Sequence, residues 1–320
     1  MFVIPEAEAP LFTVVMPCFR ARDTIVTALA SVLAQTAPDF ELIIVDDGSP
    51  DDTAAIAMLA AAGDRRVRLI HQDNAGPSAA RNHGVGAGTG ELLAFIDSDD
   101  RWAPDLLARH RDHFAARPEI GVSFARVRLF DPGLTRPGRC SAHLPQVELC
   151  RALGENPLCT ASNIVTRRAV FEHAGGFDTT LTHAEDQEWL VRVLATTGWR
   201  VAGIDRVLVD YRTSPSGLSA DLARMLTGWR SMIDRARGYA PLEISAAEAT
   251  ARALFERYLA RRALRTGHSP ACALAHLCTA IRHSPRALVT YDLKRTLLTA
   301  AGAIASAMLP ASIIRSTLSR

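Results

Sequence analysis

The amino-acid sequence predicts an α/β fold, in which a doubly wound, mainly parallel sheet is followed by an α-helical C-terminal extension. Short apolar runs alternate with segments of helical periodicity through the first two-thirds of the chain, an order typical of βαβ units. Hydrophobic residues make up 48% of the chain and charged residues 22%, as in a globular protein with a sizeable core. The length of 320 residues favours one large domain with a smaller one attached.

The first strands and helices can be placed from apolar runs and capping residues. Buried strands are predicted at Phe12–Met16, Glu41–Val45, Val67–His71 and Glu91–Ile96. Asp23 is a predicted N-cap of the first helix, and a second helix should run from about Asp52 to Ala62. A third helix should begin near Pro77, because proline suits the first turn. Ligands bind at the carboxyl ends of the strands in such sheets, so the residues that follow the strands are candidates for a functional site.

The sequence changes character after about Tyr211. Residues 214–219 read SPSGLS and predict a linker, so we expect a sheet domain at 1–215 and a helical region at 216–320. The apolar positions of the helical region are interspersed with arginines, which indicates amphipathic helices with basic faces. Leu297–Ile314 carries no charge but is rich in small residues and contains Pro310. This stretch predicts a helical hairpin or an interfacial helix, with a membrane span as the alternative, and we expect the region to contact a membrane surface or a partner.

Charge and cysteine usage narrow the class of protein. The net charge of +2 provides no strong field that would recruit nucleic acid, so no nucleic-acid partner is expected. The six cysteines are scattered without a CxxC pair, which favours reduced thiols over a disulfide framework or a zinc site. The first ten residues contain two glutamates and no basic residue, unlike a secretory signal. We therefore expect a cytoplasmic protein, with peripheral contact at the inner face of the plasma membrane.

Three groups of carboxylates stand out, two of them directly after predicted strands. They are Asp46–Asp47, then Asp97, Asp99 and Asp100, and then Glu185–Asp186. A turn or cap explains Asp46–Asp47 equally well, and an acidic first helical turn explains Glu185–Asp186. The group at residues 97–100 crowds like charges after a buried strand, which is unfavourable unless a cation or a hydrogen-bond donor neutralises them.

The D-x-D spacing of Asp97 and Asp99 predicts a site for a divalent cation and a diphosphate. Mg²⁺ or Mn²⁺ takes few carboxylates, keeps waters and accepts phosphate oxygens as ligands. Such a cation stabilises the charge that develops on a departing nucleoside diphosphate. A carboxylate at a helix start, as at Glu185–Asp186, can act as a general base toward an acceptor hydroxyl.

Five stretches, in this order, resemble the family-2 glycosyltransferases, an inverting family with the GT-A fold. They are VVMPCFRARDTIVTALASVLAQ, FELIIVDDGSPDDT, NAGPSAARNHGV, ELLAFIDSDDRWAPDLL and GGFDTTLTHAEDQEWLVRV, and they lie between about residues 10 and 215. The resemblance implies a GT-A sheet domain and metal-dependent transfer of a hexosyl group from a nucleoside-diphosphate sugar, with a UDP-sugar as first choice. It also implies a glycan or lipid-linked acceptor in cell-envelope or exopolysaccharide synthesis.

The resemblance also implies roles for residues at matched positions. The implied nucleotide-sugar contacts are Pro17, Phe19, Asp47, Arg81, Asp97 and Ser98. Asp99 is the first choice as direct metal ligand, and Asp97 is the second. Asp186 matches the catalytic base, which would take the acceptor proton while the acceptor oxygen attacks C1 from the face opposite the diphosphate.

The sequence departs from the family pattern at two places. Arg20 stands where many relatives have asparagine, and Ser214 stands where many have a histidine after the tyrosine–arginine pair. Arg212 is a candidate diphosphate contact that could compensate for that histidine.

Two other functions remain open from the sequence. A nucleotidyltransferase would require a glycine-rich loop after the first strand, and residues 17–20 (PCFR) contain no glycine. A non-catalytic module that binds a nucleotide sugar is the other alternative. The glycine-rich stretch Gly84–Gly90 ends a predicted helix instead of opening one, so it indicates a turn and not a dinucleotide fingerprint.

Overall fold

The computed structural model describes residues 9–131, 138–181, 183–213 and 221–308. Within these ranges one sheet has the strand order β3-β2-β1-β4-β7-β6-β8-β5. Its strands are β1 (Phe12–Cys18), β2 (Phe40–Asp46), β3 (Val67–His71), β4 (Leu92–Phe95), β5 (Arg101–Trp102), β6 (Ile120–Phe130), β7 (Val165–Arg167) and β8 (Arg200–Arg212). The neighbouring strands β3, β2, β1 and β4 are parallel to one another, and β6 is parallel to β8. β7 is antiparallel to its neighbours β4 and β6, and β5 is antiparallel to β8. The predicted mainly parallel α/β sheet is confirmed.

The helices lie between the strands and in the C-terminal region. They are α1 (Ile25–Leu33), α2 (Thr53–Ala61), α3 (Pro77–Ala87), α4 (Leu106–Ala116), α5 (Leu149–Gly154), α6 (Arg168–Ala174), α7 (Glu185–Thr196), α8 (Leu222–Tyr239), α9 (Pro241–Arg265), α10 (Pro270–His283), α11 (Pro285–Thr290) and α12 (Leu293–Met308). A short 3₁₀ helix occupies Ala161–Asn163. The predicted positions of the first four strands and of α2 and α3 are confirmed, and proline occupies the first turn of α3.

The predicted N-cap at Asp23 is wrong. The N-cap of α1 is Thr24, and its side chain makes no capping hydrogen bond. The backbone amides of Thr24 and Ile25 both donate to the carbonyl of Ala21, at 3.0 and 2.9 Å. The carbonyl of this backbone turn therefore accepts hydrogen bonds from amides at the helix start, a role that a capping side chain would otherwise have.

The chain divides into two compact units. Unit 1 comprises residues 1–147, 158–189 and 196–214, and unit 2 comprises residues 148–157, 190–195 and 215–320. Unit 2 therefore includes α5 and part of α7 as well as the C-terminal helices. The boundary expected near residue 215 falls among residues 214–220, outside the described ranges, as do the SPSGLS stretch and Ser214.

The uncharged stretch Leu297–Ile314 is described only as far as Met308, and up to that residue it belongs to the single helix α12. Residues 309–314 lie outside the described ranges. Among the helices of the described residues, none is both long enough and apolar enough to cross a membrane.

Candidate active site

The carboxyl ends of three parallel strands deliver the first acidic residues to one edge of the sheet. β1 lies between β2 and β4, with Cys18 in register with Asp46 and Val15 in register with Phe95. Asp46 is the last residue of β2, Asp47 follows it, and Asp97 comes two residues after the end of β4. Because the three strands run in the same direction, the residues that follow them emerge on the same side.

Asp47 is buried and holds the loop that leads into α3. Its Oδ1 accepts hydrogen bonds from the Gln72 side-chain amide and the Ala75 backbone amide, both at 2.8 Å, and its Oδ2 accepts from the Gly76 amide at 2.9 Å. An ionised carboxylate offers about four acceptor positions, so these three bonds occupy most of its capacity. The observed contacts of Asp47 therefore fix the start of α3.

Arg81, on α3, joins two of the acidic groups. Its side chain is 4% exposed, and it donates to Oδ1 of Asp97 at 2.6 Å and to Oε1 of Glu185 at 2.9 Å. Burial by itself would lower the pKa of Arg81, but the charges of Asp97 and Glu185 outweigh burial and raise it. The guanidinium thus stays charged and brings the loop after β4 together with the start of α7, although these segments are far apart in sequence.

The residue after Arg81 fixes the loop that precedes α7. Asn82 donates from its side-chain amide to the carbonyl of Phe177 at 2.8 Å and accepts from the Phe177 amide at 2.9 Å. A Cβ atom added at Gly176 would lie 2.6 Å from Oδ1 of Asn82, so this close approach requires glycine. The adjacent residues 81 and 82 of α3 therefore position both the helix start and the loop before it.

An aromatic cluster supports the same segments from the core side. Phe95, Phe171, Phe177 and Trp189 pack with ring centroids 5.1 to 5.8 Å apart. Trp189 also donates from its indole nitrogen to the carbonyl of Gly175 at 3.0 Å. Phe95 ends β4 and Trp189 lies in the first turns of α7, so this packing holds the two acidic segments at a fixed separation.

Asp100 is fully buried and anchors the acidic loop. It accepts from the Ser162 hydroxyl at 2.6 Å and from the backbone amide of Arg212 at 2.8 Å, while the Ser162 hydroxyl accepts from the Asp97 amide at 2.9 Å. Burial, followed by the charges of Asp97 and Asp99, raises the pKa of Asp100. Asp100 thus joins the loop after β4 to the 3₁₀ helix and to the end of β8.

Asp99 lies beside this anchor in a different environment. Burial, and then the charge of Asp97, raises the pKa of Asp99 to about 6, with Arg212 acting in the opposite direction. Arg212 also donates from Nε to the backbone carbonyl of Asp99 at 3.1 Å. The negative charge of an ionised Asp99 is therefore not fully balanced by Arg212, because the like charge of Asp97 acts on the same group.

Four carboxylates, including Asp186, act electrostatically on Tyr211, near the end of β8. Burial raises the pKa of Tyr211, and the charges of Asp100, Asp97, Asp99 and Asp186 raise it further. Asp186 is half-buried in the first turn of α7, next to the Glu185 that Arg81 binds. All four carboxylates therefore lie within electrostatic range of one hydroxyl at the end of β8.

The residues at the acidic loop suit a hard divalent cation. Carboxylate oxygens are the ligands that Mg²⁺ and Mn²⁺ prefer, and a cation would offset the repulsion that raises the pKa of Asp99. Within the described ranges, no group of three or more histidine, cysteine or acidic side chains is arranged to hold a metal ion.

The other predicted nucleotide contacts lie at the end of β1 and within the acidic loop. Pro17 is buried within β1, and Phe19 follows the strand with 43% of its surface exposed. Arg20 has a positive φ of 51°, and its guanidinium lies 5.2 Å from the centroid of the Phe19 ring. Ser98 is half-buried between the two aspartates.

Sequence reasoning missed several residues that organise the site. Thr160 and Ser162 contact the acidic loop from a 3₁₀ helix more than sixty residues along the chain, and no motif marks them. The role of Glu185 as an Arg81 partner was likewise invisible, because an acidic first helical turn is common on any helix. A local signal exists for the aspartates that follow β2 and β4, because each group comes at the end of an apolar strand.

Comparison with known proteins shows the family of this chain. The model of the family described as Glycosyl transferase family 2 matches residues 13–175, about half of the chain. The chain belongs to glycosyltransferase family 2. The resemblance seen in the sequence is thereby confirmed.

Two curated relatives illustrate the similarity of this family-2 chain. It is 37% identical over 202 residues to the succinoglycan biosynthesis protein ExoO of Rhizobium meliloti, covering 60% of this chain and 58% of that protein. It is 29% identical over 218 residues to the uncharacterized glycosyltransferase EpsJ of Bacillus subtilis, covering 66% of this chain and 63% of that one. The chain thus matches about three-fifths of the length of each.

Solved structures show the GT-A fold for this family-2 chain. A mannosyltransferase from Pyrobaculum calidifontis, solved with GDP-Man and Mn²⁺, superposes with a TM-score of 0.60 at 21% identity, covering 94% of this chain and 86% of that one. S. aureus TarS 1-349 in complex with UDP superposes with a TM-score of 0.53 at 18% identity, covering 88% and 91%. At these identities the likeness shows the fold alone.

Proposed function

We propose that the protein is an inverting, metal-dependent glycosyltransferase that moves a hexosyl group from a nucleoside-diphosphate sugar to an acceptor hydroxyl. The observation that carries the proposal is the double ion pair of Arg81 with Asp97 and Glu185. It brings the acidic loop after β4 and the acidic start of α7 into one site, where a metal-binding group and a general base are both required.

The donor side is assigned to the residues around the acidic loop. Asp99, with Asp97, would hold Mg²⁺ or Mn²⁺, which when bound supplies a Lewis acid for the diphosphate leaving group. Arg212 contacts the backbone of Asp99 and is proposed as a diphosphate contact. Pro17, Phe19, Asp47 and Ser98 are proposed to border the nucleotide. Relatives of this fold are described with UDP, UDP-GlcNAc and GDP-Man, which supports a nucleoside-diphosphate sugar, with a UDP-sugar as first choice.

Asp186 is assigned the role of general base. The acceptor oxygen forms a bond to C1 of the sugar as the bond from C1 to the diphosphate oxygen breaks, and the acceptor proton moves to the Asp186 carboxylate. The nucleoside diphosphate leaves with the bonding electron pair. A single displacement of this kind inverts the anomeric centre.

The acceptor is proposed to be a glycan or a lipid-linked sugar in exopolysaccharide or cell-envelope synthesis. This rests on relatives whose names refer to succinoglycan biosynthesis and, putatively, to teichuronic acid biosynthesis.

The donor assignment is tested by thermal shift with a panel of nucleoside diphosphates, each with and without Mn²⁺. A ligand that binds the native state raises its apparent stability. One nucleotide should raise the melting temperature only when Mn²⁺ is present, and Asp99→Asn should remove this shift. Asp112→Asn, at an exposed position on α4, is the matched control and should keep it. A shift that does not depend on Mn²⁺, or that persists in Asp99→Asn, would refute the metal assignment.

Product analysis separates the three candidate functions. A glycosyltransferase releases a nucleoside diphosphate and forms a glycoside whose anomeric configuration, read by NMR, is opposite to that of the donor. A nucleotidyltransferase would instead release pyrophosphate from a nucleoside triphosphate. A non-catalytic module would bind the donor without releasing either product.

A further inference from the structure

Helix α12, within unit 2, buries small side chains and exposes large apolar ones, the reverse of the pattern in a helix packed on a soluble core. The side chains it buries are small: Thr299 and Ala303 are buried, and a Cβ atom at Gly302 would lie 3.3 Å from Cδ1 of Leu264 on α9. Its large apolar side chains are exposed instead. They are Leu293, Leu297, Leu298, Ile304 and Met308.

Four of these five exposed residues form a row along one face of the helix. Leu293, Leu297, Ile304 and Met308 recur at spacings of four, seven and four residues, and exposed Ala301 fills the interval. Residues three and four apart lie on one face of a helix, so the row is a single apolar strip about four turns long. A helix packed on a soluble core normally turns its large apolar side chains inward, as α1 does with Ile25, Leu29 and Val32.

The charged residues of the segment that leads into and forms α12 are almost all positive. Between residues 270 and 308 the arginines and lysines are Arg282, Arg286, Lys294 and Arg295. The only acidic residue in that segment is Asp292, which pairs with Arg295 at 3.1 Å. Arg282, Arg286 and Lys294 are exposed. A contiguous exposed apolar strip marks an interaction surface, and a segment with mostly cationic charges favours an anionic partner.

We propose that the apolar strip of α12 binds the surface of an anionic phospholipid bilayer. The helix lies in the plane of the interface, and Leu293, Leu297, Ile304 and Met308 enter the boundary between headgroups and acyl chains, while Lys294 contacts anionic headgroups. A bilayer fits both features because it offers a continuous apolar phase beneath a negative surface. This inference does not depend on the proposed catalytic function, since vesicle binding requires neither donor nor metal.

Flotation of the full chain with vesicles tests the proposal. Vesicles of phosphatidylcholine with a substantial fraction of phosphatidylglycerol should carry the protein upward at low ionic strength, and vesicles of phosphatidylcholine alone should carry much less. The double variant Leu297→Gln/Ile304→Gln should weaken binding by about tenfold or more. The control Leu242→Gln changes a leucine on α9 of the same unit that is 80% exposed but lies outside the strip, and it should bind as the wild type does.

A second variant and a solution measurement make the result decisive. Lys294→Glu should weaken binding to anionic vesicles only, because it removes charge and leaves the strip intact. Binding that is absent in the wild type, equal on neutral vesicles or unchanged in the double variant would overturn the proposal. A full chain that is dimeric in solution and becomes monomeric in Leu297→Gln/Ile304→Gln would also overturn it, since a second copy would then cover the strip.

Discussion

At the residue scale, Arg81 determines the geometry of the candidate site. It is buried and faces two carboxylates, Asp97 and Glu185, from segments that are otherwise unconnected in sequence. Removing one partner of a buried ion pair leaves uncompensated charge, which costs far more than losing an exposed pair. The effect of losing this arginine should therefore be seen in stability before any substrate is added.

We expect Arg81→Gln to lower the free energy of unfolding by roughly 3 kcal/mol, because both carboxylates lose their counter-charge. Urea unfolding of the ligand-free protein measures this. Arg111→Gln, which breaks an exposed pair with Asp112 on α4, should change stability by less than about 0.5 kcal/mol. Equal effects of the two substitutions would show that the Arg81 pairs contribute no more than surface ones.

His110 makes the stability of the fold depend on pH, and it lies outside the candidate active site. Its ring is fully buried against the Ser123 hydroxyl at 2.8 Å, and burial, followed by the charge of His113, lowers its pKa to about 3. The unfolded chain therefore binds a proton at this residue between pH 6.5 and 3 that the folded chain does not bind. Stability should fall as the pH is lowered through that window, by at most roughly 1.4 kcal/mol per pH unit, with no effect above it.

Substitution of this histidine tests that dependence. His110→Met should flatten the decline in stability between pH 6 and pH 4 relative to the wild type, whatever its effect at pH 7.5. Urea unfolding across this pH range provides the comparison. A variant whose stability declines as steeply as that of the wild type would locate the proton uptake elsewhere.

At the scale of elements, α3 fixes the start of α7 and the loop before it. The helix is held at its start by Asp47, and it presents Arg81 to the first turn of α7 and Asn82 to the preceding loop. Gly176 permits that loop to approach Asn82 closely. The candidate base at Asp186 thus depends on contacts that lie outside its own helix.

Gly176→Ala should displace this loop, because its Cβ would lie 2.6 Å from the Asn82 amide oxygen. We expect a loss of about 1–3 kcal/mol in stability, as for overpacking, together with a larger loss of turnover than of donor affinity. Gly86→Ala, in α3 with no atom near its added Cβ, is the control and should be neutral or stabilising by up to about 1 kcal/mol. Normal turnover in Gly176→Ala would show that the loop does not position the base.

The same elements show what sequence can predict. β1, β2 and β4 lie in apolar runs of the sequence, so hydrophobicity identifies them, and the placement of the aspartates after β2 and β4 at one edge follows from the topology. β5 and β7 have two and three residues, too short to give a periodic signal, so the antiparallel insertion of β7 between β4 and β6 could not be predicted. Thr160 and Ser162 reach the acidic loop only through tertiary packing, which leaves no local pattern in the sequence.

At the scale of the whole molecule, unit 2 contains an ion-pair network of its own. Glu155, whose side chain is 12% exposed, lies there among Arg257 and Arg295, both at 3.1 Å, and Arg261 at 3.6 Å. Burial by itself would raise the pKa of Glu155, but the three arginines outweigh it and lower the pKa. One carboxylate therefore links α9 and α12 and balances three cations in the interior of the unit.

Glu155→Gln should destabilise the protein by about 3 kcal/mol or more, since it leaves three neighbouring guanidinium groups without their shared counter-charge. Glu243→Gln, at an exposed position in the first turn of α9, should cost less than about 1 kcal/mol. Thermal unfolding of the two variants beside the wild type makes the comparison. A Glu155→Gln variant as stable as Glu243→Gln would mean that the arginines do not require this carboxylate.

The most direct measurement is donor affinity and transfer rate in Asp186→Asn, taken side by side with the wild type. If Asp186 is the base in a site whose donor is held by Asp97 and Asp99, the variant should bind donor with Mn²⁺ within about threefold of the wild-type affinity. Its transfer rate should fall about a hundredfold or more, since general-base catalysis contributes on that order. Near-normal turnover in Asp186→Asn would contradict the assignment of the site.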